Sequence, residues 1–381
     1  MVNTVNMNEQ RAKVLLSLIP EIGPVKINRL LTYFGTAEKV ISSSADELVS
    51  IAGISRPVAE KIANAKNLYD IDKEYEKAKQ LGVNILTADS EKYPAQLRVI
   101  PDPPVVLYTF GEFKEVDIFS IGIVGTRKPT SYGCMAAEKI SKELIDLNVS
   151  IVSGLARGID TVAHRAALKN KGRTIAVLGN GLGVHYPPEN RSLEEKIVSN
   201  GIGVIVSEFP ILSKPERSNF PQRNRLISAL SLGVIVIEGD IISGALITAK
   251  CALDQGKDVF ALPGSIFSKY SKGPHMLLKQ GAKLIESATD VVEEISNLAE
   301  WVARQYKLNL IERNVKLGND LLLNPAEESI VSFLEKEPHG INIDELIALT
   351  NSPVTAISQN LLSLELKGIV KSFPGKIYIK A

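Results

Sequence analysis

The sequence predicts an α/β protein built on a Rossmann-like doubly wound sheet, with a helical segment before the sheet and a small helix-and-hairpin module after it. Three observations predict this. Between about 105 and 290, short β-branched runs ended by Gly or Ser alternate with helical stretches. These runs are apolar on both faces, as strands buried in a parallel sheet must be. Before and after this region the pattern changes to amphipathic helices punctuated by glycine.

Residues 1–80 read as short helices joined by glycine turns. Leu18–Leu31 and Leu48–Ile62 echo one another around Ile22-Gly23-Pro24 and Ala52-Gly53-Ile54. They resemble tandem helix-hairpin-helix units of the SAM-like type. Hairpins of this kind hold a DNA backbone through their N–H groups, but these carry few basic residues apart from Arg56, and a packing role is the expectation. Residues 81–290 form the sheet domain. Its strands are expected at Ile118–Val124, Val149–Val152, Thr174–Leu178, Gly203–Val206, Gly233–Ile237 and Asp258–Leu262. Residues 291–323 are a charge-rich connector. In 324–381, three helices (Glu327–Glu335, Ile343–Leu349, Val354–Leu366) precede strands Ile369–Ser372 and Ile377–Ile379, the outline of a winged-helix domain. Its recognition-helix candidate, Pro353–Leu366, holds no arginine, which points to a weak DNA reader or a protein contact.

Lys+Arg (44) and Asp+Glu (43) nearly cancel, so any anion site must be a local patch rather than a global basic field. Cys134 and Cys251 are expected as buried free thiols in a reducing compartment. Met1–Glu9 has neither a basic nor an apolar leader pattern, and no apolar run is long enough for a bilayer. A cytosolic protein without a membrane span is expected.

In doubly wound sheets ligands bind beyond the carboxyl ends of the strands. The segment Asn219-Phe-Pro-Gln-Arg-Asn-Arg-Leu-Ile-Ser228 places Arg223 and Arg225 in the first turns of a helix opened by Pro221, with no carboxylate among them. A helix start is electropositive, so cations there make sense when an outside anion completes the site. Gly125-Thr126-Arg127-Lys128 leaves one strand in the same manner. Ser153-Gly-Leu-Ala-Arg157-Gly158 leaves the next, where Arg157 either binds phosphate or braces a carboxylate such as Glu208. Asp160 or Thr161 is expected to cap the helix that follows.

Motifs for turnover are incomplete. Gly179-Asn-Gly-Leu-Gly183 has Val184 at the third fingerprint position, and Gly239–Gly244 is followed by Ala245-Leu246 where a P-loop needs Lys-Ser/Thr. The four histidines are scattered singly without metal-ligand spacing, and His164 reads as structural. Ser207 and Ser243 lack the nucleophile-elbow pattern. Glu208 and Glu238 each end a strand and could form a carboxylate pair.

Together Ser153–Asp160, Asn219–Ser228, Ser243–Ala249, Pro263-Gly264 and Ser271–Ala282 are similar to the signature of the DNA-processing protein A (DprA/Smf) family. That resemblance implies a bacterial cytosolic, non-catalytic protein that binds single-stranded DNA through its extended Rossmann domain. It also implies a homodimer that interacts with RecA and loads it on incoming DNA during natural transformation, with no cofactor and no metal. The implied DNA-phosphate contacts are Gly125, Thr126, Arg127, Lys128, Arg157, Arg191, Asn219, Phe220, Arg223, Asn224, Arg225, Ser243 and Gly244. Phe220, Phe209 and Tyr186 are candidates for base stacking. Two positions depart from the family pattern: Ala245 where a hydroxyl residue is frequent, and His275 where Asn is usual. The alternative is a Rossmann-like nucleotide hydrolase that cleaves a ribosyl bond with Glu208, Glu238 and Arg157.

Overall fold

The computed structural model describes residues 7–199, 201–305, 323–337, 340–350, 352–366, 369–373 and 376–380. The chain divides into two compact units, Met1–Ala303 and Arg304–Ala381. The larger unit is organised by a nine-stranded sheet. Its strands are β1 (Asn84–Thr87), β2 (Val106–Phe110), β3 (Ser120–Val124), β4 (Ser150–Ser153), β5 (Thr174–Val177), β6 (Gly203–Ser207), β7 (Gly233–Val236), β8 (Asp258–Ala261) and β9 (Lys283–Leu284). Their spatial order is β1-β2-β6-β5-β4-β3-β7-β8-β9.

From β6 to β9 all neighbours are parallel, and each expected central strand forms within a residue or two of its expected bounds. Alternate residues of one strand enter different cores. In β7, Val234 and Val236 pack beneath helices Asn219–Ala229 and Gly244–Asp254, while Ile235 packs on the opposite face with helices Ser131–Asp146 and Ile159–Lys169. That two-sided burial is why these strands read as continuous apolar runs. β1 and β2 pair antiparallel, and β2 joins the sheet antiparallel to β6 through Tyr108 opposite Ser207.

The order reverses at β3, whose neighbours are β4 on one side and β7 on the other. This is the topological switch point of a doubly wound sheet, and it opens a crevice at the carboxyl ends of the strands.

The N-terminal helices Glu9–Ser17, Pro24–Phe34, Ala45–Val49 and Arg56–Ala63 form the two expected hairpins. Arg29 Nη1 ties them together by donating to the Ala52 carbonyl at 2.5 Å. Gly53 holds φ at +86°, a left-handed turn that glycine makes without steric penalty. Arg56 is engaged by Asp46 and Glu60. This helical layer shares one core with Val106 and Tyr108 of β2, so packing is continuous across residue 80.

The smaller unit holds helices Pro325–Leu334, Ile343–Thr350 and Val354–Leu366, and a three-stranded sheet of β10 (Ile341–Asn342), β11 (Val370–Phe373) and β12 (Ile377–Lys380), in the order β10-β12-β11. Asn324 starts its first helix in a reciprocal capping box with Glu327. Most of the expected connector, 306–322, lies outside the described residues, as do Lys367 and His339. Cys134 and Cys251 are free and half-buried rather than buried. Among the described residues no helix is long and apolar enough to cross a membrane.

Candidate functional site

A cleft of about 760 Å³ occupies the switch-point crevice. One wall is the turn Gly125-Thr126-Arg127 after β3. The other is the start of helix Asn219–Ala229, and the N-terminus of helix Gly244–Asp254 closes the end. The β3 turn is held by backbone bonds: Thr126 N–H donates to the Glu238 carbonyl at 2.7 Å, and Ile159 N–H donates to the Thr126 carbonyl at 3.2 Å. Gly158, with φ at +82°, passes so close to Thr126 and Arg127 that a Cβ would collide with their backbone. Lys128 N–H is taken by Thr126 Oγ1 at 3.2 Å. This turn therefore offers an anion the Thr126 hydroxyl and the exposed Arg127 side chain, rather than a full nest of free N–H groups.

Helix Asn219–Ala229 has no acid in its first turn and no side-chain cap. It begins two residues before Pro221, which still falls where a missing N–H is harmless. Its other end is closed by Lys257, whose Nζ donates to the carbonyls of Ser228, Ala229 and Ser231 at 2.8, 2.6 and 2.5 Å. Burial pulls that ammonium down to about 8, and its place at a helix C-terminus suits the dipole.

Arg223 is only 3% exposed, yet it lines the cleft. Its Nη1 donates to the Gly154 carbonyl at 2.5 Å and to the Val177 carbonyl. A Cβ on Gly154 would overlap the guanidinium, so glycine is required there. Burial draws Arg223 down to about 10, opposed by nearby Asp160, and it stays charged at neutral pH. Asp160 does not cap its helix as expected. Its carboxylate accepts from Gly154 and Ala156 N–H at 3.1 and 3.3 Å, and burial raises its pKa. Asn224 Nδ2 reaches the Gly244 carbonyl at 3.2 Å and joins the two helix starts.

Arg225 goes elsewhere. Successive helical residues turn by roughly 100°, so side chains two apart cannot face one cleft. The sequence reading put both arginines on the phosphate; instead Arg225 is buried between Asp102 (Nε to Oδ2, 3.0 Å) and Glu208. Arg157 takes the second of its two expected roles with a different partner: it braces a carboxylate, exposed Glu189 rather than Glu208, in a bidentate pair at 2.9 and 3.1 Å. Arg191 opens helix Arg191–Ser199 and pairs with Glu195 at 3.1 Å. Lys128 is exposed on the rim, and Asn219 faces a second cleft behind the helix start.

Phe220 lies between the cations. Arg127 Cζ stands 5.2 Å from its ring centroid and Arg223 Cζ 6.0 Å, with Tyr186 tilted against it at 5.8 Å. Ser243, Gly244 and Ala245 line the far end, so the Ala245 departure sits inside the cleft. His275 instead accepts from Gly264 N–H at 3.3 Å and supports another loop. Sequence reasoning missed Arg217, an exposed arginine on the loop before the helix that lines the cleft. Its signal was a cation in the loop leading straight into the arginine-bearing helix start. Among the described residues, Arg127, Lys128 and Arg217 have no carboxylate partner.

The hydrolase constellation does not assemble. β6 and β7 are four places apart in the sheet, which separates Glu208 from Glu238 by roughly 19 Å at the usual strand spacing. Glu238 accepts from Thr130 N–H and Oγ1 at 2.9 and 2.6 Å, and Arg157 belongs to Glu189. His164 is fully buried against Thr174 Oγ1 at 2.7 Å and held down to about 3 by burial, a structural residue as expected.

Residues 84–296 match the family described as DNA recombination-mediator protein A. The chain belongs to that family. Residues 321–376 match the DprA winged helix domain, and residues 13–65 a SAM-like helix-hairpin-helix tandem. Protein Smf of Synechocystis is 37% identical over 97% of this chain and 98% of its own length. DNA processing protein DprA of Bacillus subtilis is 46% identical over 57% of this chain and 73% of its own. The X-ray structure of DNA processing protein A from Streptococcus pneumoniae superposes with a TM-score of 0.64 at 34% identity, covering 76% of this chain and 99% of that one.

Proposed function

We propose that this chain is a non-catalytic, cytoplasmic protein that binds single-stranded DNA in the switch-point cleft and loads RecA on it during natural transformation, acting as a homodimer. The observation that carries the reading is a cleft with Arg127, Arg217 and Arg223 on its walls, Asp160 as its buried counter-charge, and Phe220 in reach of a base. Such a site suits a flexible backbone that threads between cations and stacks a base in passing. Gly125, Thr126, Arg127, Phe220, Arg223, Asn224, Ser243 and Gly244 are the proposed contacts, with Arg217 added and Lys128 at the rim. Arg157, Arg191 and Arg225, already paired with carboxylates, and Asn219, on the second cleft, are not.

The test is a titration of labelled single- and double-stranded oligonucleotides at two salt concentrations, followed by RecA filament formation on strands pre-coated with single-strand-binding protein. Preference for single strands, loss of affinity with Arg127→Ala or Arg217→Ala, and faster filament formation are expected. Unchanged affinity in both variants contradicts the site. Sedimentation of the free protein checks the dimer.

A further inference from the structure

The loop from Glu208 to Ser218 and the first turn of the following helix form a strap between two clefts. Pro215, Arg217, Phe220 and Arg223 line the basic cleft. Lys214, Glu216, Asn219 and Gln222 line a second cleft of about 510 Å³ on the other side. The far wall of the second cleft is the first N-terminal hairpin, and Ile22, Ile27, Val105 and Val106 give it an apolar side.

The second cleft lacks the arginines of the first. Glu208 lies at its base with 4% of its side chain exposed. Arg225 holds Oε2 and the Gln222 side chain lies against the carboxyl, while Oε1 is buried with no hydrogen bond of good geometry. A buried acceptor left open in this way costs free energy until a donor reaches it. Glu21 and Glu216 also line the cleft; Glu21 is neutralised by Lys61 at 2.7 Å, and Lys214 stands near Glu216 in sequence. Arg225, the cation beside Glu208, is already held by two carboxylates, and Lys214 is exposed on the strap. A flat, uncharged ligand with an N–H donor and an apolar face fits this cleft.

We propose that a nucleobase carrying an exocyclic amino group, from the DNA strand held in the basic cleft, turns over the strap into the second cleft and donates to Glu208 Oε1. This rests on the function proposed above. The strand's phosphates stay with Arg217 on the front of the strap, and the base goes behind it, between the amides of Asn219 and Gln222. Cytosine, adenine and guanine carry the amino donor. Thymine carries a single N–H flanked by two carbonyl oxygens, which the carboxylate repels. The site therefore selects an amino base within a backbone contact that is otherwise blind to sequence.

The experiment measures anisotropy of the full-length protein at pH 8, above the value of about 7 to which burial pushes Glu208, with an all-thymine oligonucleotide and with the same oligonucleotide carrying one central cytosine. Wild type binds the cytosine strand tighter, by roughly tenfold, the scale of one good base-edge contact. Ser218→Trp, which fills the second cleft without touching the Glu208–Arg225 pair, removes that preference and keeps all-thymine affinity. Glu208→Leu removes it too, provided that variant folds. Equal affinity for both strands in wild type overturns the proposal, as does a preference that survives Ser218→Trp. Equal affinity together with binding of a lysine-rich peptide that Ser218→Trp abolishes assigns the cleft to a cationic peptide and also overturns it. Failure of wild type to bind either strand sinks the basic-cleft reading itself, and the base site with it.

Discussion

Arg223 reaches the carbonyl of Gly154 at 2.5 Å only because Gly154 has no side chain in the way. The pair couples β4 to the helix start Asn219–Ala229 and fixes a buried cation at the floor of the cleft. Two segments that are far apart in sequence thus depend on one missing methyl group.

Gly154→Ala should therefore act on both stability and binding. The added Cβ pushes the guanidinium off two backbone carbonyls, leaving buried acceptors open at a cost of about 1–3 kcal/mol. Chemical denaturation should show that loss. Single-strand affinity should fall even under conditions where the variant is fully folded.

Arg225→Ala should be a stability variant. It strands Glu208 in a buried place and leaves half-buried Asp102 unpaired, and breaking a buried pair typically costs about 3–5 kcal/mol. Denaturation midpoints read this directly. The affinity of the folded fraction for DNA should change far less than in Arg127→Ala.

Glu208 makes stability depend on pH. Burial pushes its carboxyl up to about 7, against the pull of Arg225, from an ordinary value of 4.5. Between those values the native state holds a proton that the unfolded chain has released. Its contribution is thus full below about pH 4.5 and is lost as pH rises through about 7. Glu208→Gln should remove this fall, so wild type should lose stability relative to the variant from pH 5 to pH 7. A constant difference across that window contradicts the assignment.

The central sheet was legible because strands buried on both faces must be apolar through their middles, as β3, β4, β5, β6, β7 and β8 are, with Ser, Thr, Gly or Asp only toward their ends or at Gly122. β1, β2 and the short β9 carried no such mark; β1 and β2 pair antiparallel at the sheet edge, separated by the proline-rich stretch before β2. The cleft was legible from its two walls, Gly125–Arg127 and the helix start at Asn219. Charge alone misassigned Arg225, since helical geometry sends residues two apart to different sides. Arg157 braces a carboxylate, one of its two expected roles, but with Glu189 as the partner, and Arg191 pairs with Glu195 four residues on along its own helix, a spacing that charge at the turn alone had hidden. Arg217 was missed because loop residues show no periodicity that reveals where they face.

Salt dependence tests the central claim most directly. The affinity for an all-thymine oligonucleotide should fall linearly with the logarithm of salt concentration, and each lost phosphate contact should flatten the slope by about 0.7. The slope should be shallower by about that amount in Arg127→Ala and in Arg217→Ala, and unchanged in Arg157→Ala. A wild-type slope retained by the first two variants would contradict the switch-point cleft as the DNA site.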